Sequence, residues 1–112
     1  THTLKNVFDT AKLKGNAVAA LEIFFSLRKL TETGNSAVNR KDFMEIQTPQ
    51  AFSFEIIKNA YKQNWSESFT DDASVVEKAG VQINLVPGNR ENIKITTEHD
   101  LKIADILWDT VF

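Results

Sequence analysis

The run Ala17-Val18-Ala19-Ala20-Leu21-Glu22-Ile23-Phe24-Phe25 constrains this chain more than any other stretch. It is short and almost wholly apolar, and it begins directly after Gly15-Asn16. Glu22 interrupts it, and it is far shorter than the roughly 20 residues that a helix needs to cross a bilayer. A brief continuous apolar run of this kind is the pattern of a strand covered on both faces. Before it, Leu4, Val7, Phe8 and Ala11 recur at helical spacing, with Lys5, Lys12 and Lys14 on the other face. Gly15-Asn16 supplies the stop signal for that helix. A helix feeding a strand that needs cover on both sides points to an α/β layout.

Composition fits one such domain or part of one. The chain has 112 residues, of which 42% are hydrophobic and 25% charged, values ordinary for a soluble globular protein rather than a disordered one. The formal charge of −2 gives no global attraction for nucleic acid or for an anionic membrane, so neither is expected as a partner. A phosphate ligand would have to be held by local basic groups. With no cysteine, disulfides and thiolate metal sites are excluded, which suits a reducing compartment. The opening Thr-His-Thr-Leu-Lys is not a signal peptide, and a cytoplasmic location is expected.

Beyond the apolar run the character changes. Ser26 to Thr31 and Ser36 to Arg40 are two short polar segments around Glu32-Thr33-Gly34-Asn35, where Gly34-Asn35 can supply the positive φ of a tight hairpin. A hairpin this polar should lie against its own domain or a second copy. Phe43 to Ile46 reads as a strand that Pro49 stops, and Ser53 to about Asn64 reads as a helix with Phe54, Ile57 and Tyr61, and Ile56 and Ala60 beside them, on its inner face. Gln47 and Gln50 offer uncharged donors and acceptors to the turn between them. Thr70 is expected to cap a short helix carrying Ala73, Val76 and Ala79, closed by Gly80, with Asp71 and Asp72 at its positive end. Val81, Ile83 and Leu85 alternate as a strand before a Pro87-Gly88 turn, and Ile93 and Ile95 mark another strand. Thr97 and Asp100 have capping-box spacing ahead of a last helix on Leu101, Ala104, Leu107, Trp108 and Val111.

Conventional catalytic patterns are thin. His2 and His99 stand near the chain ends without metal-ligand spacing and read as surface residues. Asp71-Asp72 suits a helix start better than a metal site. The four glycines are dispersed, so no phosphate-cradling glycine loop is present. The basic groups say more: Arg40 follows the hairpin, Arg90 lies in the loop before the Ile93 strand, and Lys94 stands between two isoleucines. A lysine so flanked has a fixed exit direction, useful for positioning an anion; the alternative is the exposed face of an edge strand.

Three strings, IQTPQAF, FTDDASVVEKAG and VPGNRENIKITTEHDL, occur in the order that resembles the C-terminal half of the 2-C-methyl-D-erythritol 4-phosphate cytidylyltransferase family. They cover most of residues 36 to 108, and KGNAV through SLRKLTETGNSAVNR fits the family's strand and β-arm more loosely. Ribitol-5-phosphate cytidylyltransferases are the nearest alternative. The resemblance implies the C-terminal part of a Rossmann-like nucleotidyltransferase fold with a protruding β-hairpin arm. Residues 1–112 would form a single partial domain: helix and buried strand over 1–25, β-arm and return strand over 26–46, and the C-terminal α/β portion over 47–112. It further implies an enzyme of isoprenoid biosynthesis that transfers CMP from CTP to methylerythritol phosphate, with Mg²⁺ as cofactor. It also implies a homodimer in which arm residues of one subunit reach the site of the other.

Carried over by motif, Arg40 and Lys94 correspond to residues that position the substrate phosphate. Thr70 corresponds to a threonine of the substrate pocket, Ser26 to a Thr or Ser on the arm, and Thr48 to the signature turn. No residue of this chain is expected to be catalytic or to bind the metal. The family's glycine-rich nucleotide loop and acidic metal ligand have no counterpart here, so the isolated chain is expected to be inactive. The arm's usual Pro-Val-x-Asp-Thr/Ser also departs, with Glu22-Ile23-Phe24-Phe25-Ser26 in its place. Phe24 and Phe25 at the base of an exposed arm would be expected to bury against a partner or a remodelled core. A non-catalytic self-associating module is the alternative reading.

Overall fold

A computed structural model of the chain describes residues 2–111, with side chains through 110. Helix α1 (His2–Lys14) ends where the Gly15 N–H donates to the Ala11 carbonyl at 2.8 Å. Gly15 sits at φ +90°, a region that a residue without Cβ enters freely. A Cβ there would also come within 2.8 Å of Ile56 Cδ1. Strand β1 (Asn16–Glu22) follows, and its first five residues are buried, as the apolar run predicts. The strand ends at Glu22, however, and Phe24 and Phe25 at the tail of the run are 56% and 84% exposed.

β1 is the middle strand of a three-stranded sheet among the described residues. It pairs antiparallel with β4 (Met44–Phe52) and parallel with β5 (Leu85–Pro87). On one face α1 seats Val7 against Ala17, Ala19 and Val86, the small alanines permitting close approach. A second apolar cluster joins Ala60, Val75 and Val76, from helices α2 (Phe54–Ala60) and α3 (Asp72–Lys78), to Phe52, Ile56, Ile57, Phe69, Val81 and Ile83. The buried Asn16 is satisfied by Asn84 N–H and by the Gln82 carbonyl, at 2.9 and 3.0 Å. The mixed sheet with helices is the α/β class expected.

Several local expectations are corrected. Pro49 does not stop the strand before it, because β4 runs through it to Phe52. The register jumps from Val18↔Gln50 to Ala20↔Ile46, so Gln47, Thr48 and Pro49 together oppose Ala19. A proline has no N–H to give, and inside this bulge none is required of it. The Thr48–Pro49 peptide is cis. α2 stops at Ala60 rather than Asn64, and the Gln63 amide donates to the Ala60 and Val75 carbonyls, each at 2.8 Å. Its inner face is Ile56, Ile57 and Ala60; Phe54 and Tyr61 are exposed.

The cap of α3 is Asp71 rather than Thr70. Its carboxylate accepts from the Ser74 N–H at 2.8 Å and Ser74 Oγ accepts from the Asp71 N–H, forming a capping box. Val81 and Ile83 join the second cluster, and strand pairing begins only at Leu85. Ile93 and Ile95 lie in an irregular segment instead of a strand, tied to β4 through the side chains of Gln47 and Asn92. Helix α4 (Glu98–Val111) does start on the Thr97–Asp100 box, with Asp100 Oδ2 accepting from Thr97 N and Oγ1 at 2.9 and 2.8 Å. Leu101 on the expected inner face is nonetheless exposed, and the side chain of Val111 lies outside the described residues.

The hairpin forms from β2 (Arg28–Thr31) and β3 (Gly34–Ala37), with Thr31 paired to Gly34. Its two-residue turn is therefore Glu32-Thr33, while Gly34 alone takes positive φ, at +152°. Every residue of its two strands is exposed, so among the described residues it is not packed into the rest of the fold.

Candidate functional site

A cleft of about 720 Å³ opens where the β4 bulge, the start of α3 and the 88–96 loop converge. Thr48 and Gln50 reach it from the bulge, Thr70 and Asp71 from the helix start, and Arg90 and Lys94 from the loop. The bulge explains why β4 can contribute there, since three residues opposing one push the backbone out of the pleat and re-aim its side chains.

Gln47 fastens the loop to the bulge. Its amide Nε2 donates to the carbonyls of Asn89 and Asn92 at 2.9 and 3.1 Å, and its Oε1 accepts from the Asn89 N–H at 3.2 Å. Asn92 Nδ2 in turn donates to the Thr48 carbonyl. Gly88 is required beside this clamp, because a Cβ there would lie 2.0 Å from Gln47 Oε1. On the other side of the cleft Gln50 bridges β4 to α3, donating to Asp71 Oδ2 at 3.0 Å and accepting from the Ala73 N–H at 3.2 Å. Both glutamines around Pro49 are thus used as donors and acceptors, as the sequence suggests.

The charges divide into committed anions and uncommitted cations. Asp71 is held by Ser74 and Gln50, as above. Asp100 accepts from Thr96 and Thr97, and the Thr97 hydroxyl, followed by the two backbone N–H groups, draws its carboxyl below the ordinary range. Lys94 and Arg90 form no ion pair among the described residues, and Glu45 is the remaining acidic side chain of the lining. Nearby, the Tyr61 hydroxyl donates to Asp72, and that bond above all raises the phenol's pKa. Among the described residues no three His, Cys, Asp or Glu side chains converge as a metal site. Asp71 and Asp100 are occupied by helix-start donors, and Glu45 alone does not make a ligand set for Mg²⁺.

Of the residues singled out by sequence, Thr48, Thr70 and Lys94 line this one cleft. Arg40 and Ser26 do not. Arg40 opens a 3-10 turn (Arg40–Asp42) capped by Asn39, and its Nη1 donates to the Phe24 carbonyl at 2.6 Å. Ser26 is exposed between β1 and the hairpin. Sequence reasoning missed the loop-fastening role of Gln47 and Asn92 and the stacking of Arg90 on Phe24. The available signal was the pair of amide side chains flanking Thr48-Pro49; the partners of Gln47 lie more than 40 residues away and those of Gln50 more than 20.

Residues 2–109 match the family model for 2-C-methyl-D-erythritol 4-phosphate cytidylyltransferase. The proteins of that name from Bacteroides fragilis and Phocaeicola vulgatus are 47% and 45% identical to this chain over 100 residues, covering 89% of it and 46% of their own length. A crystal structure of 4-diphosphocytidyl-2C-methyl-D-erythritol synthase superposes with a TM-score of 0.81 at 29% identity, covering 96% of this chain and 50% of that one. The 2-C-methyl-D-erythritol 4-phosphate cytidylyltransferase of Thermus thermophilus gives 0.77 at 28%, covering 95% and 54%. The chain spans about half the length of the relatives that it matches.

Proposed function

The chain belongs to the 2-C-methyl-D-erythritol 4-phosphate cytidylyltransferase family, and from that premise we propose that it carries the sugar-phosphate side of the active site of such an enzyme. The parent reaction transfers CMP from CTP to the phosphate of methylerythritol phosphate in isoprenoid biosynthesis, releasing pyrophosphate with Mg²⁺ present. The observation that supports this role most is the convergence of Thr48, Thr70 and Lys94 on one cleft whose acids are largely committed elsewhere. Lys94 supplies the charge that holds the phosphate, and the threonine hydroxyls supply neutral hydrogen bonds. This assigns to the segment binding and orientation, which convert a bimolecular encounter into a near-unimolecular step. The CTP side, the metal and transition-state stabilisation fall to groups outside it.

Arg40 and Ser26 stand away from this cleft, at the base of a hairpin exposed along its whole length. That placement favours a homodimer in which the hairpin carries them to the partner's cleft. The ligands in this reading are small anions, with neither nucleic acid nor membrane as partner, and the location that goes with it is cytoplasmic. The isolated chain should not turn over. With CTP, Mg²⁺ and methylerythritol phosphate, no pyrophosphate release above background is expected, and clear turnover by the 112-residue chain would overturn the division of labour.

A further inference from the structure

The Arg90 guanidinium carbon lies 3.2 Å from the centre of the Phe24 ring, a stacked cation–π arrangement. With Leu21, these two side chains line both the main cleft and a second, more apolar cavity of about 560 Å³ beside β5. Arg90 is exposed, forms no ion pair among the described residues, and is not needed for the loop's own hydrogen bonds, which Gln47, Asn89 and Asn92 provide. Phe24 is 56% exposed and belongs to neither apolar cluster, so the fold does not explain it either. A ring that packs on nothing in the core but orients a cation at a cleft edge is explained by the cation.

We infer that Arg90, propped on Phe24, is a second phosphate-positioning residue of the cleft, acting together with Lys94. The inference rests on the reading of the cleft as a sugar-phosphate site. Lys94 is a point charge with rotatable donors; Arg90 adds a planar fork whose N–H groups can engage two oxygens of a phosphate at once. Stacking fixes that plane before the ligand arrives and so lowers the ordering cost of binding. Three lining carboxylates, Glu45, Asp71 and Asp100, oppose this field; helix-start donors hold Asp71 and Asp100 in place without removing their charge, so a phosphate depends on direct contacts with the two cations.

Calorimetric titration of the 112-residue chain with 2-C-methyl-D-erythritol 4-phosphate tests it. Arg90→Ala should weaken binding about tenfold or more, the effect of one charge-assisted contact. Arg90→Lys should recover part of that loss, since charge returns without the stacked fork. Phe24→Leu should weaken binding several-fold in the parent chain yet add nothing in an Arg90→Ala background, because the ring acts through the guanidinium. Far-ultraviolet circular dichroism serves as the folding control, and the exposure of both residues predicts unchanged spectra. Wild-type affinity in Arg90→Ala with binding lost in Lys94→Ala overturns this inference and leaves the cleft reading standing. Additive losses from Phe24→Leu and Arg90→Ala overturn the propping. Failure of the unsubstituted chain to bind overturns the cleft reading and this inference with it.

Discussion

A methyl group on Gly88 would meet Gln47 Oε1 at 2.0 Å, a separation that no relaxation of the amide alone relieves while it also serves Asn89 and Asn92. Gly88→Ala should therefore cost about 1–3 kcal/mol, the range for leaving partly buried polar groups unpaired, read as a lower urea midpoint. Gln47→Glu keeps the shape but replaces the donating amide by an acceptor facing two carbonyls, and should cost at least as much at neutral pH. Asp100 gives a pH-dependent counterpart. Its pKa in the folded chain is lowered, foremost by the Thr97 hydroxyl. Its contribution is then complete above the unfolded value of about 3.9 and disappears as pH falls through the lower folded value. Helicity of α4 should drop on acidification below about pH 4, and Asp100→Asn should flatten that response in circular dichroism. At this scale Thr48, Thr70 and Lys94 were legible because they sit in ordered motifs. Gln47 and Asn92 were not, because a side chain that reaches across 42 or 45 positions leaves no local pattern.

Elements were legible where one local signal decided them. β1 and α1 followed from an apolar run, a helical period and one glycine, and their packing is as tight as those signals imply. Ala19 is fully buried between α1 and the sheet, so Ala19→Leu should overpack the face at a cost of about 1–3 kcal/mol in denaturant unfolding. The errors fell where tertiary structure overrode the local rule. Pro49 would end an ordinary strand, but a bulge opposite Ala19 removes the need for its missing N–H. Ile93 and Ile95 alternate like a strand, yet their segment is joined to β4 by the side chains of Gln47 and Asn92 and stays irregular. Thr70 and Asp71 are both good caps, and Asp71 takes the role because Ser74 and Gln50 engage it. Asp71→Ala should cost about 0.5–2 kcal/mol of stability through loss of that cap and also loosen the Gln50 bridge.

At the scale of the molecule, the Cα radius of gyration of 16.3 Å exceeds the about 13 Å of a compact domain of this length. The excess has visible sources: a hairpin exposed along its whole length and a last helix with Leu101 and Ile106 in solvent. Leu4, Phe8 and Leu13 of α1 are exposed as well. An amphipathic pattern in the sequence says that a face will be covered but not by what, and this limited how much of the site could be read in advance. Phe24 and Phe25, expected to bury against a partner or a remodelled core, are exposed in the single chain, with Phe24 turned to Arg90. Apolar surface on this scale favours association. Sedimentation velocity should show a concentration-dependent dimer, and a strict monomer at the highest attainable concentration would contradict the proposed homodimer. The central claim is that this segment recognises the sugar phosphate and leaves CTP to the rest of the enzyme. Parallel calorimetric titrations of the chain with methylerythritol phosphate and with CTP test that claim most directly. The account predicts saturable heat with methylerythritol phosphate that Lys94→Ala abolishes, and none with CTP; CTP binding, or sugar-phosphate binding indifferent to Lys94→Ala, would contradict it.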